Sequence, residues 1–237
     1  MRPLLLLVLT LLCADPARAV VLVRFETVLG DFDVELYDDR APLTVSNFLA
    51  YTRDGDYDGS FIHRSIPGFI VQGGSFGFDG TLFYAIPQRP PVMNEFQPCD
   101  GGCNVRGTLA MAKIMDQPDS ATNSWFVNLA NNSANLDNQN EGFAVFGRVI
   151  GDGMDVVDAI AALPTTKVDL PGALPVLENF PLYNYTGGAI TAANLAMVPR
   201  IVEVSEPGAS ALRAGALGCV FFVARLTARR RGAGRQP

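Results

Sequence analysis

The residues best able to do chemistry lie in one stretch, Tyr57-Asp-Gly-Ser-Phe-Ile-His63-Arg64-Ser-Ile-Pro-Gly-Phe69-Ile70-Val-Gln72-Gly-Gly74. Arg64 stays protonated at any working pH and offers five donors on a planar fork. Gln72 can both donate and accept. Phe69 and Ile70 place apolar surface between them. Taken singly these residues are ordinary: an Arg in a strand is usually a solvated face residue, and a Phe is usually core. His63 is the only histidine of the chain, so a histidine-based hydrolase triad would have to use it. It reads instead as a structural or substrate-side neighbour.

Other chemistries find little support. Cys99-Asp-Gly-Gly-Cys103 is a short loop whose paired glycines allow a tight reversal, and a disulfide is expected there. Zinc would need two more ligands, and there is neither a second His nor a second Cys pair. Asp54-Gly-Asp56-Tyr-Asp58-Gly59 copies the start of a calcium loop, but its twelfth position is Ser65, not Glu. It reads as an acidic turn. No phosphate-binding or dinucleotide fingerprint is present. No metal and no cofactor are expected.

These residues need a globular frame. The chain has 237 residues, 49% hydrophobic and 18% charged, which excludes collagen, coiled coil and disorder throughout. Residues 20–206 carry 10 Lys/Arg against 23 Asp/Glu, so an acidic body argues against nucleic acid as a partner.

The body reads as one domain over 20–204. Val21, Val23 and Phe25 alternate with Leu22, Arg24 and Glu26; Phe32, Val34 and Leu36 alternate likewise after Leu29-Gly30. That spacing predicts a hairpin with one face buried. Ala41-Pro42 opens a helix with Val45, Phe48 and Leu49 on one stripe, and Met154–Leu163 predicts a second. Strand-like runs are Phe61–Ile66, Thr108–Ala112, Trp125–Leu129, Phe143–Val149 and Leu195–Val204. Two stretches resist assignment: Phe76–Arg106 reads as a long surface loop, and Thr165–Gly188 as irregular. Many short strands with two helices predict a mainly β fold. The expected architecture is a closed eight-stranded antiparallel barrel capped by two α-helices, with a β-sandwich as the competing form.

Ile62-His63-Arg64-Ser65-Ile66-Pro67-Gly68-Phe69-Ile70-Val71-Gln72-Gly73-Gly74 resembles the F-H-R-x-x-P-x-F-x-x-Q-G-G signature of the cyclophilins, with Ile62 in place of the first Phe. Gly107-Thr-Leu-Ala-Met-Ala112 is similar to the family's G-x-L-x-M-A strand. Asn123-Ser-Trp-Phe126-Val resembles S-Q-F-F-I, Leu136-Asp137 its L-D, and Val145-Phe-Gly-Arg-Val149 its V-F-G-x-V. The resemblance spans residues 20–204. It implies the capped barrel and a peptidyl-prolyl cis-trans isomerase acting on proline-containing peptides or unfolded exported proteins.

Prolyl isomerisation breaks no bond; its barrier of about 18–20 kcal/mol is mainly lost amide resonance. A fixed cationic donor near the prolyl nitrogen favours the twisted amide, and Arg64 fits that part. The resemblance implies a proline pocket of Phe69, Ile70, Phe126 and Leu136, with Gln72 holding peptide backbone or orienting Arg64. It also implies backbone contacts at Ala112 and Lys113, and apolar contact at Phe143, where the family has His or Tyr. Ser124 replaces the family's Gln, and Asn135 stands where Trp or Phe is usual. A peptide-binding module with weak catalysis is therefore a second reading, and an anchored scaffold a third. A monomer is expected.

Met1–Ala19 reads as a signal peptide: Arg2, an apolar run Leu4–Leu12, and Ala17-Arg18-Ala19. Export to the periplasm, envelope or exterior follows, and with it an oxidising compartment. The C-terminal segment 205–237 passes from Glu206-Pro207 through apolar Ala214–Ala224 to Arg229-Arg230-Arg231. That order resembles PEP-CTERM sorting tails, with Ser205 in place of the first Pro; a weak membrane anchor and a disordered basic tail are the other readings.

Overall fold

Pro42 begins a helix because its fixed φ suits a first turn and its missing N–H costs nothing there. The helix, α1 (Pro42–Arg53), buries Val45, Phe48, Leu49 and Tyr51. Its first turn is capped from far away: Glu95 accepts the N–H of Leu43 at 3.0 Å and of Thr44 at 2.7 Å. A carboxylate there satisfies orphan donors and suits the helix dipole. The computed structural model describes residues 20–171 and 174–204. The expected leader (1–19) and tail (205–237), with Cys13 and Cys219, lie outside the described residues.

Strands β1 (Val21–Glu26) and β2 (Phe32–Leu36) form the hairpin that the alternation predicts, with Val23, Phe25, Phe32 and Val34 buried. The chain continues through β3 (Ser60–Phe61), β4 (Arg64–Ile66), β5 (Ile70–Gly73), β6 (Phe76–Phe78), β7 (Phe83–Ala85), β8 (Thr108–Met111) and β9 (Trp125–Asn128). It then passes a one-turn helix α2 (Ser133–Leu136), β10 (Val145–Val149), α3 (Gly153–Ala161), β11 (Thr165–Val168), β12 (Leu177–Pro181), β13 (Met197–Val198) and β14 (Arg200–Val204). The main sheet runs β14-β1-β2-β10-β8-β9-β5-β4, antiparallel throughout.

The sheet curls but stays open, which corrects the closed barrel. Its end strands β14 and β4 are not paired; β13, β3, β6 and β7 form a separate four-stranded sheet. The breaks have local causes. Pro199, between β13 and β14, has no N–H to give a ladder. At Ile62-His63 the backbone changes partner, Ile62 N–H donating to Ala196 O and His63 N–H to Gln72 O. The expected run Phe61–Ile66 is thus two strands in two sheets.

The concave side holds the main core. Phe25 stacks on Phe32 at 4.6 Å and meets Trp125 edge-on at 5.0 Å, while Phe48 packs 5.2 Å from Phe146. From α3, Val157 and Ile160 complete it. The two unassigned stretches carry structure. Residues 76–106 include the β6–β7 pair, and residues 165–188 include the β11–β12 pair. Val168, Leu177 and Phe180 close a second apolar cluster with Phe61 and Phe83. Their apolar positions are isolated among prolines and glycines, so they show no period to read.

Candidate active site

Strand register builds the site. Arg64 stands opposite Gln72, Gln72 opposite Phe126, Phe126 opposite Ala110, and Ala110 opposite Val145. Directly opposed residues of antiparallel strands share a face, so these five side chains form one row. The alternate residues Val71, Val127, Leu109 and Met111 point to the main core. The row is therefore on the outer face. Strands about 4.8 Å apart put Arg64 about 10 Å from Phe126.

Next to the row lies a third apolar cluster. Ile70, Ala110, Phe126 and Leu136 are buried, with Phe69, Ala112, Phe143 and Val145 packed on them. The rings of Phe126 and Phe143 meet edge-to-face at 5.8 Å. Leu136 ends α2, which is tied down by amides: Asn132 Nδ2 donates to Phe69 O (2.8 Å) and to Asn128 Oδ1 (2.7 Å). Asp137 accepts the N–H of Cys103 at 2.8 Å and of Asn104 at 3.1 Å. Cys99 and Cys103 are bonded, with Cα atoms 5.2 Å apart. Asn104 Nδ2 also reaches Phe143 O at 3.0 Å.

Arg64 is half-buried. Its Nη1 donates to Gln72 Oε1 at 3.2 Å, and Gln72 Nε2 donates to Ser124 Oγ at 3.1 Å. Six of the eight described arginines pair with a carboxylate; Arg64 and Arg40 do not. Burial pulls the Arg64 guanidinium below its ordinary value, yet an arginine stays charged. A cation with unspent donors beside an apolar hollow can bind an electron-rich atom of a neutral ligand. Gly73 and Gly74 are required beneath it. A Cβ on Gly73 would lie 2.7 Å from the Trp125 ring, and one on Gly74 would lie 2.4 Å from Asn123 O.

The stretch of chain that builds this row and hollow matches a known family. The pattern described as "Cyclophilin type peptidyl-prolyl cis-trans isomerase/CLD" matches residues 22–180. The chain belongs to the cyclophilin-type peptidyl-prolyl cis-trans isomerases. A peptidyl-prolyl cis-trans isomerase of Acinetobacter baylyi is 42% identical over 166 residues, covering 70% of this cyclophilin and 85% of that protein. Peptidyl-prolyl cis-trans isomerase B of Escherichia coli is 39% identical over 158 residues, 65% of this chain and 92% of its own. In fold, a Cryptosporidium parvum cyclophilin matches with TM-score 0.58 at 22% identity, covering 80% of this chain and 100% of that one. A second crystal structure of that protein, in the presence of the dipeptide Ala-Pro, matches with TM-score 0.56.

The remaining predicted residues of this cyclophilin are placed less simply. Ala112 gives its N–H to Ser124 O at 2.9 Å, so its carbonyl is the group able to meet a peptide. The Lys113 ammonium turns into the loop, donating to Asn140 O (2.7 Å) and Gly142 O (2.6 Å) and lying 4.9 Å from the Phe143 ring. Burial lowers it to about 8. Asn135 is exposed at the rim beside Leu136. His63 is buried with Nδ1 unpartnered, and burial followed by the Arg64 charge pushes it down to about 3. It is neutral at working pH. Sequence reasoning missed the bond between Gln72 and Ser124, and also a neighbouring cavity of about 670 Å³ that includes Gln72, Ala112, Lys113 and Ser124. No spacing marks that cavity, because it is walled from three separate segments.

Proposed function

We propose that this cyclophilin isomerises Xaa-Pro bonds of exported proteins and so assists their folding, with Arg64 as the donor to the prolyl nitrogen. Twisting the amide returns the lone pair to that nitrogen and makes it a better acceptor. A fixed guanidinium then stabilises the twisted form more than either planar form. The observation that carries this reading is the half-buried Arg64 with no carboxylate partner among the described residues, bonded to Gln72 alone at the edge of an apolar hollow. Phe69, Ile70, Phe126 and Leu136 would seat the proline ring, Phe143 would close it, and the chain beyond the proline would run past Ala112 and Lys113. The Cryptosporidium relative was crystallised in the presence of Ala-Pro, and a proline-containing peptide is the ligand we assign here. The leader sequence and the Cys99–Cys103 bond support export to an oxidising compartment.

The test is cis–trans exchange of a short proline peptide with the purified chain, wild type against Arg64→Ala. Acceleration by wild type and none by the variant is expected. Binding without acceleration by wild type would favour the second reading, a peptide-binding module. That reading rests on Asn135, a small exposed polar side chain on the rim where an aromatic wall is usual. For the tail, location in cells is compared with and without residues 207–237; unchanged retention would remove any sorting role.

A further inference from the structure

We propose that Ser124 is a positioning residue for the isomerase reaction, acting on Arg64 through the Gln72 amide. This deepens the reading of Arg64 as the donor and rests on it. Three hydrogen bonds run in series. Arg64 Nη1–H donates to Gln72 Oε1 at 3.2 Å, Gln72 Nε2–H donates to Ser124 Oγ at 3.1 Å, and Ser124 Oγ–H donates to Gly73 O at 3.3 Å.

The donor and acceptor inventory allows one direction only. A guanidinium has no acceptor, so Gln72 must turn its oxygen to Arg64 and its NH2 away. Gly73 O has no proton, so the single serine proton goes to it, leaving the Ser124 oxygen to accept from Gln72. The hydrogen-bond series ends on backbone that cannot shift easily, and the serine itself is held by backbone. Gly73 lies in the β5–β9 ladder opposite Trp125, and Ser124 O holds the Ala112 N–H at 2.9 Å. The serine thus locks which way the Gln72 amide faces, and the amide in turn restricts the Arg64 fork. Without the hydroxyl the amide can rotate, and the fork loses its fixed angle to the hollow. A side chain of serine length suits this part, since its oxygen must reach both Gln72 and the carbonyl one residue further along the same strand.

The experiment measures exchange of a proline peptide by NMR line shape, which separates binding from rotation on the enzyme. It compares the full chain with Ser124→Ala, Ser124→Thr, Gln72→Ala, the Ser124→Ala/Gln72→Ala pair and Arg64→Ala. One neutral hydrogen bond corresponds to about a 3- to 10-fold change. Ser124→Ala is expected to slow rotation by about that factor with peptide affinity changed less than about twofold. Ser124→Thr keeps a hydroxyl and restores the rate. On the Gln72→Ala background, Ser124→Ala adds nothing, because its route to Arg64 is already cut. A wild-type rate in Ser124→Ala, or a full loss persisting on the Gln72→Ala background, overturns the proposal. If Arg64→Ala remains active, the donor reading fails and the proposal with it; if Arg64→Ala is dead while Ser124→Ala is unaffected, only the proposal fails.

Discussion

The site has two walls, made in different ways. Arg64, Gln72, Phe126 and Ala110 stand on neighbouring strands, and their alignment follows from ladder register. Leu136, Phe143 and Lys113 stand on a one-turn helix and loops, held by Asn132, Asn104 and Asp137 and by the short disulfide loop. A ladder sets position through many repeated backbone bonds. The loop wall depends on a few side-chain bonds, each lost with one substitution. The strand wall should therefore carry the chemistry, and the loop wall should be soft, shaping access and affinity.

That contrast predicts effects of decreasing size. Arg64→Ala should lower kcat/KM by about 100- to 1,000-fold with little change in melting temperature, as for loss of one transition-state donor. Arg64→Lys should recover little, since a point charge lacks the fork. Activity within tenfold of wild type would abolish the distinction between the walls. Phe126→Ala should cost about 3 kcal/mol in urea denaturation, while the half-buried Phe143→Ala should cost about 1 kcal/mol. Equal costs would mean that the loop wall is as firmly built as the sheet.

Reducing Cys99–Cys103 should remove about 2 kcal/mol by the loop-entropy estimate for so short a loop. Thermal melts of oxidised and reduced protein would show it, with activity lowered only a few-fold. A loss as complete as in Arg64→Ala would mean that the walls act as one. The smallest effect concerns Lys113, lowered by burial to about 8. An unfolded lysine titrates near about 10.4, so between these values the unfolded chain holds more protons. Stability should then rise as pH rises from about 8 to about 10.4. Denaturant midpoints across that window should show the slope, and Lys113→Met should flatten it.

Much of the strand wall was legible. Alternation marked β1 and β2, short strand-like runs marked β8, β9 and β10, and the run from His63 to Gln72 carried Arg64, Phe69, Ile70 and Gln72 together. The helices at Pro42 and Gly153 also declared themselves by stripe and proline. The loop wall was legible only as residue names. Nothing near Lys113 says that its ammonium turns to Asn140 O, and nothing near Leu43 says that Glu95 caps its helix. The β11–β12 pair was missed because Val168, Leu177 and Phe180 gain their apolar partners from β3 and β7.

Residue types, strand-like runs and a contiguous signature were enough to expect a mainly β fold and a charged group beside an apolar pocket, because those are written in short stretches of chain. Where the sheet stops, how the Gln72 amide is oriented, and what holds Leu136 in place were settled on folding. Each depends on groups from distant segments meeting within hydrogen-bond range, and short-range pattern carries no record of such meetings.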